Sequence, residues 1–136
     1  MITRNQSHEI AIQALYAMLI NIKNGQTFEF SDMIANISEY PYSELPIFLK
    51  ETLLNSLKHY DDIILTLAPY LRDWKFARLN LVTQAILIYS YAHYFYIGNV
   101  SKAVVINVAV KLSKLYTPDE DYKFINAVLD GVLKHA

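Results

Sequence analysis

The C-terminal third of the chain, residues 101–134, constrains the fold more than any other stretch. Its first half carries apolar residues at intervals of three and four, which is the period of one face of an α-helix. That apolar stripe is Val105, Val108, Ala109, Leu112, Leu115 and Tyr116. Ser101 is placed to cap the helix, and Lys111 and Lys114 lie near its C-terminal end, where cations interact favourably with the helix dipole. The stretch therefore predicts an amphipathic helix that begins just after Ser101.

Residues 117–120 carry signals that end one helix and begin the next, and they therefore predict a second helix. Thr117 can serve as its N-cap, Pro118 fits the first helical position, and Glu120 completes a capping box. The apolar face that follows comprises Phe124, Ile125, Val128, Leu129 and Val132. We therefore expect a last helix that starts at Thr117 and buries this face.

The rest of the chain keeps the same helical period. Further helices are predicted at about 6–23, 32–39, 45–71 and 80–96, with Ser31 as the cap of the second of these and breaks at Gly- or Pro-containing positions between them. No alternating segment bounded by turn signals competes as a strand. The prediction is an all-α bundle of about six or seven helices in a single domain, 1–136. Its two three-helix-type parts are expected at about 1–72 and about 73–136.

The run from Leu79 to Ser101 has no formal charge, which raises the alternative of a membrane span. Such a span needs about 20 mostly apolar residues. The polar members of this run are Thr83, Gln84, Ser90, His93 and four tyrosines. Because these are costly in hydrocarbon, we expect a buried central helix instead. Residues 1–7 lack the apolar core of a signal peptide and the chain has no Cys, so we expect a cytoplasmic protein.

Residues suited to catalysis or metal binding are scattered. The four histidines are His8, His59, His93 and His135. No pair of them has the i, i+4 spacing of a helical zinc site. Carboxylates cluster at 61–62 and 119–121, but adjacent side chains do not face each other on a helix. There is no glycine-rich phosphate loop or nucleophile elbow, so we expect no metal, no cofactor and no enzyme activity.

The C-terminal stretch resembles the signature of the NusB transcription antitermination factors. In AVVINVAVKLSKLYTPDEDYKFINAVLD, Val105–Lys114 and Lys123–Asp130 match the family pattern in order and spacing. IAIQALYAM, residues 10–18, resembles the first helix of the family, and WKFARLNLVTQAIL, residues 74–87, resembles the beginning of its central helix. Together these pieces cover most of the chain, and the resemblance implies the NusB-like helical bundle.

The resemblance also implies a function in ribosomal RNA transcription. NusB-type factors bind boxA-type single-stranded RNA together with NusE, a protein of the small ribosomal subunit. The pair then joins RNA polymerase with other Nus factors and suppresses premature termination. By matching positions, the implied RNA-binding residues are Arg4, Asn5, Gln6, His8, Tyr16, Lys123 and Phe124. The implied partner-binding residues are Glu120, Lys123 and Phe124.

Departures from the family keep alternatives open. In the N-terminal segment only Arg4 carries a fixed positive charge, and the formal net charge of the chain is −1. A strong stand-alone nucleic-acid binder is usually basic. The first alternative is therefore a NusB-fold protein-interaction module with weak or no RNA binding, in which the N-terminal segment is a frayed terminus and Tyr16 and Phe124 belong to the core. A homodimer that hides the RNA surface and an enzyme fragment are the other two.

Two apolar residues stand where the family usually has charged ones. Ile88 takes the place of an Arg, and Val108 takes the place of a Glu. Replacing a buried ion pair by packed apolar groups can be neutral or stabilising by ~1–4 kcal/mol. We hypothesise that Ile88 and Val108 form an apolar contact in place of a charge network.

Overall fold

Helices make up the regular structure of this chain. The computed structural model describes residues 1–118 and 120–134. The helices are α1 (Arg4–Lys23), α2 (Phe30–Ser38), α3 (Ile47–Lys58), α4 (Tyr60–Leu67), α5 (Leu81–Ala92), α6 (Lys102–Tyr116) and α7 (Asp121–Val132). No strand occurs in these described residues. The prediction of an all-α fold with about six or seven helices is therefore confirmed.

Helix α5 lies at the centre of the bundle. It contacts α1, α3, α4, α6 and α7, and every side chain of residues 83–90 is buried. A helix that is surrounded on all sides needs apolar residues around its whole circumference, which explains why this run carries no charge. Within the described residues, none of the helices combines the length and the apolarity that a membrane crossing requires.

The C-terminal end of α5 departs from a regular helix. Residues 93–97 form a π turn, which closes where the backbone N–H of Gly98 donates to the carbonyl of His93 at 3.0 Å. The wider turn places Tyr96 face to face with His59, with ring centroids 4.0 Å apart. Gly98 then ends the helical segment with φ of 75°, a backbone angle that glycine accepts without strain.

The single long helix predicted at 45–71 is wrong, because the structure breaks it at His59. Helix α3 ends there, and α4 begins at the next residue. Before the break, the hydroxyl of Ser56 donates to the carbonyl of Thr52 at 2.7 Å, a side-chain bond that tends to bend helices. After it, Asp61 and Asp62 occupy the first turn of α4, where acids favour a helix start.

The predicted start of the last helix is also wrong. Helix α7 begins at Asp121 rather than at Thr117. The hydroxyl of Thr117 donates to the carbonyl of Ser113 at 2.7 Å, so this residue closes α6 instead of opening α7. Glu120 directs its carboxylate to Lys123, and no capping box forms with Thr117. Asp119, part of the carboxylate cluster at 119–121, lies outside the described residues.

Two other predicted caps have different outcomes. Ser101 caps α6 as predicted, because its hydroxyl accepts a hydrogen bond from the N–H of Val104 at 3.2 Å. Helix α2 is capped by Glu29 rather than by the predicted Ser31, since the Glu29 carboxylate accepts from the N–H of Asp32 at 2.9 Å. The helix therefore begins two residues earlier than the expected 32.

The hypothesis about Ile88 and Val108 survives as a prediction. Ile88 is buried, and Val108 is partly buried against the same core. The helices that carry them, α5 and α6, pack on each other. Their direct contact remains a prediction, as does the division of the bundle at about residue 72.

Candidate functional site

The N-terminal segment is the first turn of α1, not a frayed terminus. Thr3 caps it through a reciprocal pair of hydrogen bonds. The N–H of Gln6 donates to the Thr3 hydroxyl at 3.1 Å, and the N–H of Thr3 donates to Gln6 Oε1 at 2.8 Å. This capping box fixes the exposed side chains of Arg4 and Asn5 relative to the bundle. It also uses the amide oxygen of Gln6, which leaves the amide nitrogen as the donor for a ligand.

A cleft of about 430 Å³ separates this turn from α6. It is called the N-terminal cleft below, and its lining residues are Arg4, Asn5, His8, Glu9, Val104, Asn107, Val108, Lys111, Leu112 and Leu115. The cleft combines two cations with two amides, one carboxylate and an apolar floor. Such a lining suits a ligand that carries both negative charge and apolar rings.

Leu115 lines this cleft, although it was predicted to be buried. The apolar period placed it on the buried stripe of α6, but it is 61 % exposed, so that prediction is wrong. The helical period was correct, but the period alone does not determine which part of the stripe a neighbouring element covers. Val104, near the other end of α6, is also exposed and lines the same cleft. Together with Val108 and Leu112, these two residues form the apolar wall of the N-terminal cleft along α6.

Arg4 is held in place by an aromatic ring. Its guanidinium carbon lies 3.8 Å from the centroid of Phe48, a residue of α3. A cation over a ring face at an exposed site gains about 0.5–1 kcal/mol. The contact therefore limits the positions that the Arg4 side chain samples at the mouth of the cleft, where Lys111 supplies the second cation.

His8 does not belong to the exposed surface. It is 4 % exposed, and its Nδ1 shares a hydrogen bond of 2.8 Å with the hydroxyl of Tyr89. Burial, together with the neighbouring His93 and Arg4, lowers the pKa of His8 to about 4. The ring is therefore neutral at neutral pH and is committed to the core. We correct the expectation that His8 donates to RNA, because the residue forms part of the base of the cleft rather than a free cation.

Tyr16 is exposed, as an RNA-stacking residue must be. Its side chain is 39 % exposed on the outer face of α1. One turn earlier, Gln13 Nε2 donates to the hydroxyl of Tyr116 at 2.9 Å, which ties α1 to the end of α6. Tyr16 lines neither the N-terminal cleft nor the clefts beside α7. Its assignment to RNA therefore remains a prediction.

The first turn of α7 carries the other predicted residues. Lys123 Nζ lies 2.9 Å from Glu120 Oε1, and both side chains are largely exposed. Phe124 is partly buried and lines two clefts, of about 330 Å³ and about 380 Å³. Trp74 lines the same two clefts and was missed by sequence reasoning. A signal was available, because three of the twelve Lys and Arg residues fall at positions 72–78 around this tryptophan.

The predicted residues thus fall into two groups. Arg4, Asn5 and His8 meet in the N-terminal cleft, whereas Lys123 and Phe124 meet beside Trp74. Among residues 1–118 and 120–134, no three His, Cys, Asp or Glu side chains come together as metal ligands would. His135 lies outside this part of the chain. Cations, amides and rings on exposed helix ends equip both groups for binding.

Comparison with known proteins gives a consistent result. The model of the NusB family matches residues 5–134. The transcription antitermination protein NusB of Finegoldia magna is 32 % identical over 133 residues, covering 97 % of this chain and 94 % of the relative.

Solved structures agree in fold. T. maritima NusB superposes with a TM-score of 0.82 at 17 % identity, covering 98 % of this chain and 92 % of that one. A structure described as antitermination factors NusB and NusE in complex with double-stranded RNA gives a TM-score of 0.79 at 17 % identity, covering 96 % and 95 % of the two chains. At these identities the likeness establishes the fold, which is the NusB-like bundle predicted from the sequence.

Proposed function

The chain belongs to the NusB family, and from this premise we propose that it is a transcription antitermination factor of ribosomal RNA synthesis. It binds boxA-type single-stranded RNA together with NusE, and the pair joins RNA polymerase with other Nus factors. The name of the F. magna relative and the described complex of NusB, NusE and RNA support this proposal. Its action is assembly rather than catalysis, and its place is the cytoplasm, where bacterial transcription occurs.

The N-terminal cleft is the observation that carries the RNA half of the proposal. Arg4 is positioned over Phe48, and Lys111 lines the opposite wall on α6. Two cations across an open cleft suit the phosphates of one strand, and the exposed apolar wall suits its bases. Asn5 and Gln6 add amide donors in the same helical turn. Tyr16 offers a further ring for stacking.

The first turn of α7 is the proposed contact region for NusE and for the adjoining part of the RNA. Glu120 and Lys123 form an exposed ion pair there, and the ring of Phe124 lies beside it. Exposed ion pairs contribute little to stability, so this pair is available to exchange partners on binding. RNA and NusE each gain affinity when the other is bound, because linked contacts raise the effective concentration.

The alternative is a NusB-fold interaction module with weak or no RNA binding. The placement of His8 favours it, because a neutral, buried ring leaves Arg4 as the one cation of residues 1–8. The two functions differ in a single measurable property, the affinity for RNA when NusE is absent and when it is present.

A titration of boxA-type RNA, with and without NusE, tests the proposal. We expect weak binding by the chain alone and at least tenfold tighter binding when NusE is present. Arg4→Gln should weaken RNA binding, and Lys123→Glu should weaken both RNA binding and assembly with NusE. Lys58→Glu is the matched control, because Lys58 is exposed and lines neither the N-terminal cleft nor the clefts beside α7. If NusE binds but RNA does not under either condition, the interaction-module alternative replaces the proposal.

A further inference from the structure

An exposed tryptophan stands on the loop between α4 and α5. Trp74 is 58 % exposed, although large aromatic side chains usually bury most of their surface. The loop around it is well anchored. Leu71 and Phe76, on either side of Trp74, are both buried, and the N–H of Trp74 donates to the carbonyl of Leu71 at 3.1 Å. The indole is therefore presented to solvent by a fixed backbone, so little conformational entropy is lost when a ligand covers it.

The charge of this loop is positive in a chain whose net charge is negative. Arg72, Lys75 and Arg78 are all exposed, and Asp73 is the one acid of residues 71–80. No other seven residues of the sequence hold three cations. A basic stretch with an aromatic residue in its middle is the arrangement that single-stranded nucleic acids favour, because phosphates and bases alternate along the strand.

Clefts flank the tryptophan on both sides. Trp74 and Phe124 line both of them, so the two rings form the ridge between them. Arg78 lies in the cleft of about 330 Å³, whereas Arg72 and Lys123 lie in the cleft of about 380 Å³. An RNA strand that crosses the two rings therefore passes Arg78 on one side and Arg72 on the other.

The smaller cleft contains a polar group that lacks a partner. Thr83 lines it and is 3 % exposed, and its hydroxyl oxygen is buried without a hydrogen-bond partner in the described residues. A buried polar atom of this kind costs free energy until it is satisfied. The donor and acceptor edge of a nucleobase is one group that satisfies it.

We propose that Trp74 is a stacking platform for an unpaired RNA base, with Arg72 and Arg78 contacting the phosphates on either side of it. The inference rests on the proposed function, since it assumes that the chain binds RNA. It adds a contact region that matching to the family pattern did not assign. RNA is favoured over a protein partner because the two clefts beside the ring carry three cations, Arg72, Arg78 and Lys123, against two carboxylates, Asp73 and Asp121.

The single tryptophan allows a direct test. Trp74 is the only one in the chain, so incorporation of 5-fluorotryptophan gives one ¹⁹F resonance, and unlabelled NusE can be present. We expect boxA-type RNA to shift this resonance. The same oligonucleotide with abasic nucleotides keeps its phosphates but removes the rings, and it should shift the resonance far less.

Substitution provides the second test. Trp74→Ala should weaken RNA binding roughly 5- to 150-fold, the range found for loss of one base–aromatic stack. Trp74→Phe should retain most of the affinity, because a flat ring remains. Tyr40→Ala is the matched control, since Tyr40 is also exposed but lines none of the clefts described here. Arg72→Gln and Arg78→Gln should each make the dependence of log K on log salt shallower by about 0.7.

The outcomes separate this inference from the proposed function. If RNA binds and Arg4→Gln weakens it, while the ¹⁹F resonance and the affinity of Trp74→Ala stay unchanged, the stacking platform is wrong and the proposed function stands. If Trp74→Ala loses NusE but keeps RNA, the surface belongs to the protein partner and the inference is overturned. If no RNA binds with NusE present, both fail.

Discussion

A connected group of side chains lies beneath the N-terminal cleft and consists of Arg4, Phe48, His8, His93 and Tyr89. Arg4 lies on the face of Phe48, and the edge of that ring meets His93 with centroids 5.0 Å apart. His8 packs edge-on against the same phenyl ring at 5.5 Å and shares its hydrogen bond with Tyr89. The position of the one exposed cation in this turn therefore depends on packing inside the bundle.

Phe48→Leu should reduce RNA affinity by about two- to fivefold, because an exposed cation–π contact is worth about 0.5–1 kcal/mol. The measurement is RNA binding by the wild type, Phe48→Leu, Arg4→Gln and the double variant. The loss should disappear in the Arg4→Gln background, since the ring then has no cation to position. Phe48→Tyr is the control that keeps the ring. An equal loss in both backgrounds would mean that Phe48 acts through general packing instead.

The buried histidines predict a dependence of stability on pH. Burial, first, and then Arg4 lower the pKa of His93 to about 4, and the pKa of His8 is lowered to about 4 as well, from an ordinary value of 6.5. Between these values the unfolded chain binds more protons than the folded one, so stability must fall as the pH drops from about 6.5 towards 4. Each ring contributes a loss on the order of 3 kcal/mol over that window.

Guanidinium chloride unfolding at pH 7.0, 5.5 and 4.5 measures this dependence. The His8→Gln and His93→Gln double variant is the control, and its stability should change less between pH 7.0 and 4.5 than that of the wild type. If the free energy of unfolding falls equally with pH in the two proteins, the loss of stability comes from carboxylates elsewhere. That result would contradict its assignment to His8 and His93.

At the scale of elements, the helical segments could be predicted from the sequence more accurately than the breaks between them. The apolar period runs unbroken from Phe48 to Leu67, so no pattern of hydrophobicity marks the break at His59. That break depends on side-chain hydrogen bonds to the backbone and on acids at the next helix start. The cap at Ser101 was predictable because capping needs one residue in one place.

The site was predictable to a lesser degree than the fold. Arg4, Lys123 and Phe124 could be placed at the surface by matching to the family pattern, but the burial of His8 depends on Tyr89, a residue 81 positions away. The exposure of Leu115 depends on which elements pack against α6. Contacts between elements decide both, and a periodic pattern within one element carries no information about them.

Helix α7 and the turn after α4 meet at a glycine. A Cβ added at Gly131 would lie 2.8 Å from Cδ1 of the Tyr70 ring. Alanine favours a helix interior by up to about 1 kcal/mol over glycine. We expect Gly131→Ala to give little or no gain in the wild type, because the new methyl displaces Tyr70.

The test is a double-mutant cycle by chemical denaturation. In a Tyr70→Ala background, Gly131→Ala should stabilise the protein by roughly 1 kcal/mol, since the ring that opposes the methyl is gone. Ala127 is a suitable reference position on the same helix, because it is exposed and Ala127→Gly measures the propensity difference without the ring. A stabilisation of roughly 1 kcal/mol by Gly131→Ala in the wild type would instead show that the Tyr70 ring moves aside without cost.

At the scale of the whole molecule, cations line separate clefts of one bundle. Arg4 and Lys111 line the N-terminal cleft, and Lys123 lies at the start of α7. Each phosphate contact on a single strand contributes about −0.7 to the slope of log K against log salt. These three contacts alone give a slope of about −2, and the contacts proposed for Arg72 and Arg78 bring the expected slope to about −3.5.

The slope is measured by titrating RNA at several salt concentrations in the presence of NusE. A slope near −3.5 would indicate that Arg72 and Arg78 also contact phosphates, as the proposal for Trp74 requires. Lys58→Glu again serves as the control and should leave the slope unchanged. A slope near zero would rule out phosphate contacts as the source of the affinity and leave stacking alone.

The N-terminal cleft is assembled from residues far apart in the sequence, since Arg4 and Asn5 line it together with Asn107 and Lys111. A ribosome therefore completes the first wall long before it has made the second. The cleft therefore forms only once α6 has been made and has packed against α1.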